Sequence, residues 1–364
     1  MKYWMFFRQF AIASVATGLL AGCNKEPLEA GTDAGERVEI VSGIALPSPS
    51  VTADTKAPVS HIDDLQGKTL YFMRGDGYSL IQGVLYMSGS FGTQIIEATV
   101  GDSYAEVQDS RWLRFSPTQH YDIDVNKNTV MRGWYPEAVF LGKSPSLEWT
   151  FDGTQDIMIS NWLAGNCSDK GINPPNHNFE FRHMLAQLQF YAYAEDGTAA
   201  NQWGKLKSIV IQEQKSKCLF EDKNNNTYVI TSQSTEDIPS NCTFSVPRDF
   251  TLTPSYGEIT VPTITDNESN DYGAKMAGAV MIEPEQSGTI QLLITTQAAG
   301  QPEVETSVEI PAGQADIEAG EAKKIYLKFL AGEVDVTLGA AAWTEIRGTD
   351  MDVDLGTGLS ASGN

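Results

Sequence analysis

The stretch His183-Met184-Leu185-Ala186-Gln187-Leu188-Gln189-Phe190-Tyr191-Ala192-Tyr193-Ala194 decides the fold class. Met184, Ala186, Leu188, Phe190, Ala192 and Ala194 fall on every second position, and Gln187, Gln189, Tyr191 and Tyr193 fill places between them. A period of two belongs to a pleated strand, whose successive side chains point to opposite faces; a helix cannot gather those six residues on one side. Glu195-Asp196-Gly197-Thr198 reads as the turn that ends it.

The same alternation recurs on either side. Val304, Thr306, Val308 and Ile310 carry it, as do Ile325, Leu327 and Phe329, and then Val334, Val336, Leu338 and Ala340. Toward the other end Val38, Ile40, Ile44 and Leu46 alternate, with Ser42 interrupting the apolar face, so residues 38–46 are expected as a half-buried first strand, followed by a linker over 47–60. No apolar stripe of helical period runs longer than about three turns. The chain is therefore expected to be all-β. A loop of breakers from Gly165 to Asn176 precedes the strong strand and places a domain boundary near residue 182. The strands then fall into two blocks, 37–182 and 183–364, each expected as a β-sandwich.

Residues 1–22 read as a lipoprotein signal peptide. Lys2 and Arg8 head a short apolar run from Ala11 to Ala21, and Leu20-Ala21-Gly22 stands directly before Cys23. That run is about half the roughly 20 residues a membrane-spanning helix needs. Small residues at 21 and 22 admit a signal peptidase, so Cys23 is expected to carry acyl chains and to become the mature N-terminus, anchored in outer-membrane lipid at the cell surface. Residues 23–36, polar and rich in Gly, Ala and acidic groups, are expected to form a flexible tether.

The formal net charge of −22 argues against nucleic acid as a partner. Beyond Cys23 only Cys167, Cys218 and Cys242 remain, too few for a disulfide scaffold. Cys218 and Cys242 flank the polar segment from Glu221 to Thr235 and make a candidate disulfide, with Cys167 left free.

No metalloprotease helix motif, nucleophile elbow, phosphate loop or dinucleotide fingerprint is present, so no catalysis and no cofactor are expected. His61, His120, His177 and His183 lack ligand spacing, and no metal is expected on them. Asp122-Ile123-Asp124-Val125-Asn126-Lys127-Asn128 imitates the start of a calcium loop, but Lys127 stands where the sharp turn wants glycine, so a solvated turn is the better reading. Trp112, Trp134, Tyr135, Trp149, Trp162 and Trp203 could serve as stacking platforms for sugar rings or simply fill sandwich interiors.

The end of the chain has a pattern of its own. Met351, Val353 and Leu355 alternate with Asp350, Asp352 and Asp354, giving one apolar and one fully charged face. A strand with this amphipathy must lay one side on a core, either its own or another molecule's.

With these features in order, the chain resembles the fimbrillin family, the lipoprotein subunits of type V pili. The resemblance spans nearly the whole chain. It is carried by the lipobox before Cys23, the first strand followed by Asp54-Thr55-Lys56-Ala57-Pro58, and Trp134-Tyr135-Pro136 ahead of Thr154-Gln155-Asp156-Ile157-Met158. It continues in Phe181-Arg182-His183-Met184-Leu185-Ala186-Gln187-Leu188-Gln189-Phe190, in Ala319-Gly320-Glu321 to Tyr326-Leu327, and in Trp343. What the resemblance implies is two transthyretin-like β-sandwiches and assembly by strand exchange: a protease removes the first strand (Val38, Ile40, Ile44, Leu46), and a neighbour's C-terminal strand takes its place. Residues 350–359, with Met351, Val353 and Leu355, are then the candidate donor.

Similar proteins commonly have arginine where this chain has Lys56, and their maturation is often arginine-specific. Lys56 and Arg37 are the candidate processing sites, although a cut at Arg37 frees the lipid and leaves the first strand in place. A stalk, tip or anchor role stays open. The expectation is a structural or adhesive pilus subunit whose partners are other subunits and a host or bacterial surface ligand. The alternative is a monomeric surface lipoprotein that binds glycans.

Overall fold

The computed structural model describes residues 37–45, 65–81, 84–86, 94–103, 110–141, 146–173, 178–221, 227–228, 241–262, 274–286, 288–314 and 316–341. Nearly all of the regular structure there is strand. The first part of the chain supplies β1 (Ser42–Ala45), β2 (Thr69–Ile81), β3 (Val84–Tyr86), β4 (Ile96–Ser103), β5 (Ser110–Ser116), β6 (Asn128–Tyr135), β7 (Val139–Phe140), β8 (Ser146–Thr150), β9 (Met158–Ser160), β10 (Leu163–Gly165) and β11 (Phe179–His183). After these come β12 (Ala186–Ala194), the helix α1 (Gly197–Trp203), β13 (Lys205–Glu221), β14 (Thr227–Tyr228), β15 (Cys242–Leu252), β16 (Lys275–Ile282), β17 (Ile290–Gln297), β18 (Val304–Ile310), β19 (Ala322–Phe329) and β20 (Val334–Ala341).

Where an N-terminal sandwich is expected from the sequence, the sheet instead closes on itself. Strand β2 pairs with β4 on one side and β6 on the other, and from β6 the pairing continues through β9, β11, β1 and β5 back to β4. The result is a barrel with β1 as one of its staves, and closure removes the exposed edges that an open sheet leaves. Its interior gathers Ile40, Ile44, Leu70, Phe72, Ile96, Leu113, Met131, Phe179 and Phe181. Phe72 stands at the centre, edge-on to Phe179 at 4.9 Å and to Phe115 at 5.2 Å between ring centroids.

Gly133 on β6 makes this ring cluster possible. A Cβ at that position would lie 2.5 Å from Phe72 Cε1 and 2.7 Å from Phe181 Cζ. Gly133→Ala is therefore expected to destabilise the barrel by about 1–3 kcal/mol through overpacking, measurable as a shift in the denaturant midpoint at unchanged slope.

Strands β3, β10 and β14 extend the barrel sheet, and the others form two facing sheets. One runs β16-β12-β19-β20; the other runs β18-β17-β13-β8-β7, with β15 also paired to β13. Leu188, Phe190, Ile325, Leu327 and Phe329 from the first sheet and Ile209, Ile211, Leu292 and Ile294 from the second belong to one core. Strands β7 and β8, which come from within residues 37–182, pair into the sheet built on β13, so the sheets do not divide strictly at residue 182. Strand β6 is buried on both faces: Met131 belongs to the barrel interior and Trp134 to the sandwich core.

The run His183–Ala194 serves both bodies. It breaks at Met184-Leu185, where Met184 N–H donates to the Ile157 carbonyl at 2.8 Å and the Leu185 carbonyl accepts from Gly320 N–H at 2.8 Å. The chain thereby leaves the barrel as β11 and enters the sandwich as β12. Gln187 and Gln189, on the face opposite the apolar row, are buried, with Gln189 Nε2 donating to Gln187 Oε1 at 2.7 Å. Their burial follows from the position of β12 between β16 and β19. Residues 195–198, read as a turn, instead start α1: the Asp196 side chain accepts from Thr198 N–H and Ala199 N–H and caps the helix.

Candidate functional site

The first strand is where the sequence places exchange, and the structure shows how it is held. Its regular part is shorter than the expected 38–46: Ser42–Ala45 pairs antiparallel to β5 along its length, and Ile44 and Ala45 also pair parallel to β11. Residues 38–40 are held separately. Ile40 N–H donates to the Gln119 carbonyl at 2.8 Å, Tyr121 N–H donates to the Val38 carbonyl at 2.9 Å, and Glu39 bridges His120. Ile40 and Ile44 are buried in the barrel, Val38 is half-buried against them, and Arg37 is exposed where the segment begins. Leu46 and Lys56 lie outside the described residues.

Ser42, which interrupts the apolar alternation, is also fully buried, and its hydroxyl donates to the Ile172 carbonyl at 3.2 Å. This bond belongs to a latch that sequence reasoning missed. Tyr121 accepts from Ile172 N–H at 2.9 Å and donates to Asn173 Oδ1 at 2.8 Å. Asn173 Nδ2 in turn donates to the Glu39 carbonyl at 3.2 Å. Burial holds the Tyr121 hydroxyl above the ordinary tyrosine range, so it stays a neutral donor and acceptor. Tyr121→Phe leaves the buried Ile172 N–H without its acceptor and is expected to cost about 1–3 kcal/mol, read as a lower midpoint in urea.

The other candidates are scattered. Met351, Val353 and Leu355, Cys23, His61 and His177 lie outside the described residues. Cys218 and Cys242 are free thiols at diagonal positions on paired strands, Cys218 opposite Phe244 and Cys242 opposite Phe220. The two thiols lie within hydrogen-bond reach of each other, and that contact together with burial raises the Cys218 thiol above its ordinary range.

His183 is buried and its Nδ1 lies 2.6 Å from Asp156 Oδ2, a pair that ties the end of β11 to the loop before β9. Asp122 and Asp124 spend their carboxylates on the turn itself, accepting from Asp124 N–H and Asn126 N–H respectively. Among the described residues no three His, Cys, Asp or Glu side chains group to hold a metal ion, and no helix is long and apolar enough to cross a membrane.

Trp134, Trp149 and Trp203 are buried, whereas Trp112, Tyr135 and Trp162 are half-buried. Trp149 Nε1 and Trp203 Nε1 donate to the Pro136 and Leu330 carbonyls, and Trp162 lies beneath the Arg132 guanidinium at 4.6 Å. Trp134, Trp149 and Trp203 are committed to packing, and none of the six is fully exposed.

No family model matches the chain, and no curated protein matches it. Solved structures do. A "putative cell adhesion protein" from Bacteroides uniformis is 14% identical, with 86% of this chain and 100% of that one covered at a TM-score of 0.50. A fimbrial protein from Bacteroides vulgatus is 13% identical over 84% of this chain and 99% of its own, at a TM-score of 0.42. A fimbrial assembly protein from Parabacteroides distasonis is 10% identical over 84% and 97%, at a TM-score of 0.43. The likeness to the first is one of fold.

Proposed function

We propose that the chain is a structural or adhesive subunit of a cell-surface pilus, exported as a lipoprotein through Cys23 and assembled without catalysis by β-strand exchange. One observation carries this reading: a four-residue strand, β1, completes a closed barrel by bonding to neighbours on both sides. Its withdrawal uncovers the seats of Ile40 and Ile44, at about 1.5–3 kcal/mol each, and leaves two rows of unpaired backbone groups on β5 and β11. A strand of period two restores both, and residues 350–359 have that period. A head-to-tail contact of this kind does not close, so it propagates as a fibre. In this reading the barrel and the sandwich stand for the two transthyretin-like domains of the resemblance, the chain changing over near residue 182.

The test begins with the folded protein. Trypsin should cut after Lys56, and the nicked product should bind a peptide spanning residues 349–359 while the intact protein does not. Nicked protein that releases residues 37–56 yet takes up no peptide would remove the acceptor from the scheme. For the anchor, labelled palmitate should enter the wild type and not Cys23→Ser; equal labelling of both excludes acylation at that residue.

A further inference from the structure

Three sulfur atoms meet where the chain passes from the barrel to the sandwich. Cys218 on β13 and Cys242 on β15 stand diagonally across one antiparallel pair, so they share a face with Phe220 and Phe244, their partners in register. The two thiols lie within hydrogen-bond reach of each other. The Cys242 thiol also donates to the Met184 thioether, with 3.7 Å between Sγ and Sδ. Met184 belongs to the break between β11 and β12, fixed there by the bond from its N–H to the Ile157 carbonyl. Three separate stretches of chain thus build the cluster.

Its surroundings are apolar. Met184 and Cys218 are fully buried, and Cys218 has the buried Trp149 opposite it on β8. Cys242 is half-buried and is the one of the three that solvent reaches. Packing explains any one of these residues, since methionine and free cysteine both serve as core hydrophobes. It gives no reason for three sulfurs to converge.

Metal–sulfur bonds of about 2.3 Å set ligand sulfurs about 3.8 Å apart around a tetrahedral ion and about 4.0 Å apart around a trigonal one. The 3.7 Å between Cys242 and Met184 is close to the first of these. The donor set narrows the choice of ion. Zinc draws on Cys, His and carboxylates and closes a structural site with four ligands, whereas thiolate together with thioether suits Cu(I). Among the described residues no group of three His, Cys, Asp or Glu offers a competing site.

We propose that Met184, Cys218 and Cys242 form a three-sulfur site for a soft monovalent metal ion, Cu(I). The ion enters past Cys242, each thiol gives up its proton to solvent, and two thiolates and the thioether become its ligands. It arrives as Cu(I), so no electron is exchanged. Arg132, itself buried, holds its guanidinium 5.3 Å from the centroid of the Phe220 ring and brings a positive charge to the neighbourhood of the thiolates. A bound ion ties β13 and β15 to the β11–β12 junction. The site does not depend on strand exchange.

Competition for Cu(I) against a chromophoric chelator, without oxygen and on the full chain, tests the site. A Cys23→Ser, Cys167→Ser background removes the other two thiols and should still take one ion per chain. In that background Cys242→Ser should weaken binding at least about 100-fold, and the volume-conserving Met184→Leu about ten-fold. X-ray absorption at the copper edge should count three sulfur neighbours, a measurement that stands even if a variant fails to fold. No uptake against the chelator overturns the proposal, as does a count of two sulfurs or fewer. Met184→Leu that binds as tightly as its parent removes the thioether and with it the three-sulfur site. Peptide mass spectrometry showing Cys218 and Cys242 joined as a disulfide in the purified protein also overturns it, because neither sulfur is then a thiolate.

Discussion

Met351→Asp, Val353→Asp and Leu355→Asp, made together, are expected to abolish polymers while the subunit itself stays folded. If these side chains fill a neighbour's barrel, three carboxylates must enter the apolar groove that Ile40 and Ile44 otherwise fill, and burying an unpaired charge costs far more than the strand gains from its ladder. If those side chains are buried only between molecules, the monomer's melting midpoint should fall by a few degrees only. The opposing outcome is equally definite. Were the three residues part of an intramolecular core, the losses would reach several kcal/mol each and the C-terminal sandwich would unfold. A thermal melt and a filament assay on one variant tell the two apart.

Ile44→Asp acts on the acceptor. Ile44 is fully buried in β1, paired to Arg111 on one side and Phe179 on the other. A carboxylate forced into that site costs on the order of 4 kcal/mol or more, but the chain can limit the loss by letting β1 leave the barrel. The expected result is a large drop in the urea midpoint, together with binding of the 349–359 peptide without any proteolysis and partial recovery of the midpoint when the peptide is in excess. A drop of less than about 1 kcal/mol would mean that β1 is not held as described. A large drop with no peptide uptake would mean that the opened barrel accepts no donor.

How much of this was readable beforehand depended on whether a strand has one wet face. Strands β18, β19 and β20 showed their period of two because one side meets solvent or a polar neighbour. Strand β6 hid, since Thr129 through Trp134 are buried on both faces and no alternation survives. Barrel closure was out of reach for a different reason. It depends on β2 pairing with β6, roughly sixty positions later, and a local pattern carries no record of so distant a partner. The first strand was legible in Ile40 and Ile44, whereas its latch was not: Tyr121 and Asn173 stand 52 positions apart and look like ordinary loop residues. The short helix was misread too, and Asp196 was its available signal, a capping side chain taken for a turn former.

The two-sided hold on β1 also decides how a fibre built this way would bear load. A strand on the rim of an open sheet can be peeled, one pair of bonds failing after another under a small force. A stave between β5 and β11 offers no free margin from which peeling can start. Tension along the fibre axis must slide it lengthwise, so that the bonds on both flanks and the side chains seated beneath them yield together. Under pull, survival is governed by the rate of that concerted rupture and not by the equilibrium strength of the contact. A pilus joined by such staves would resist shear from flowing fluid for longer than its modest contact length suggests.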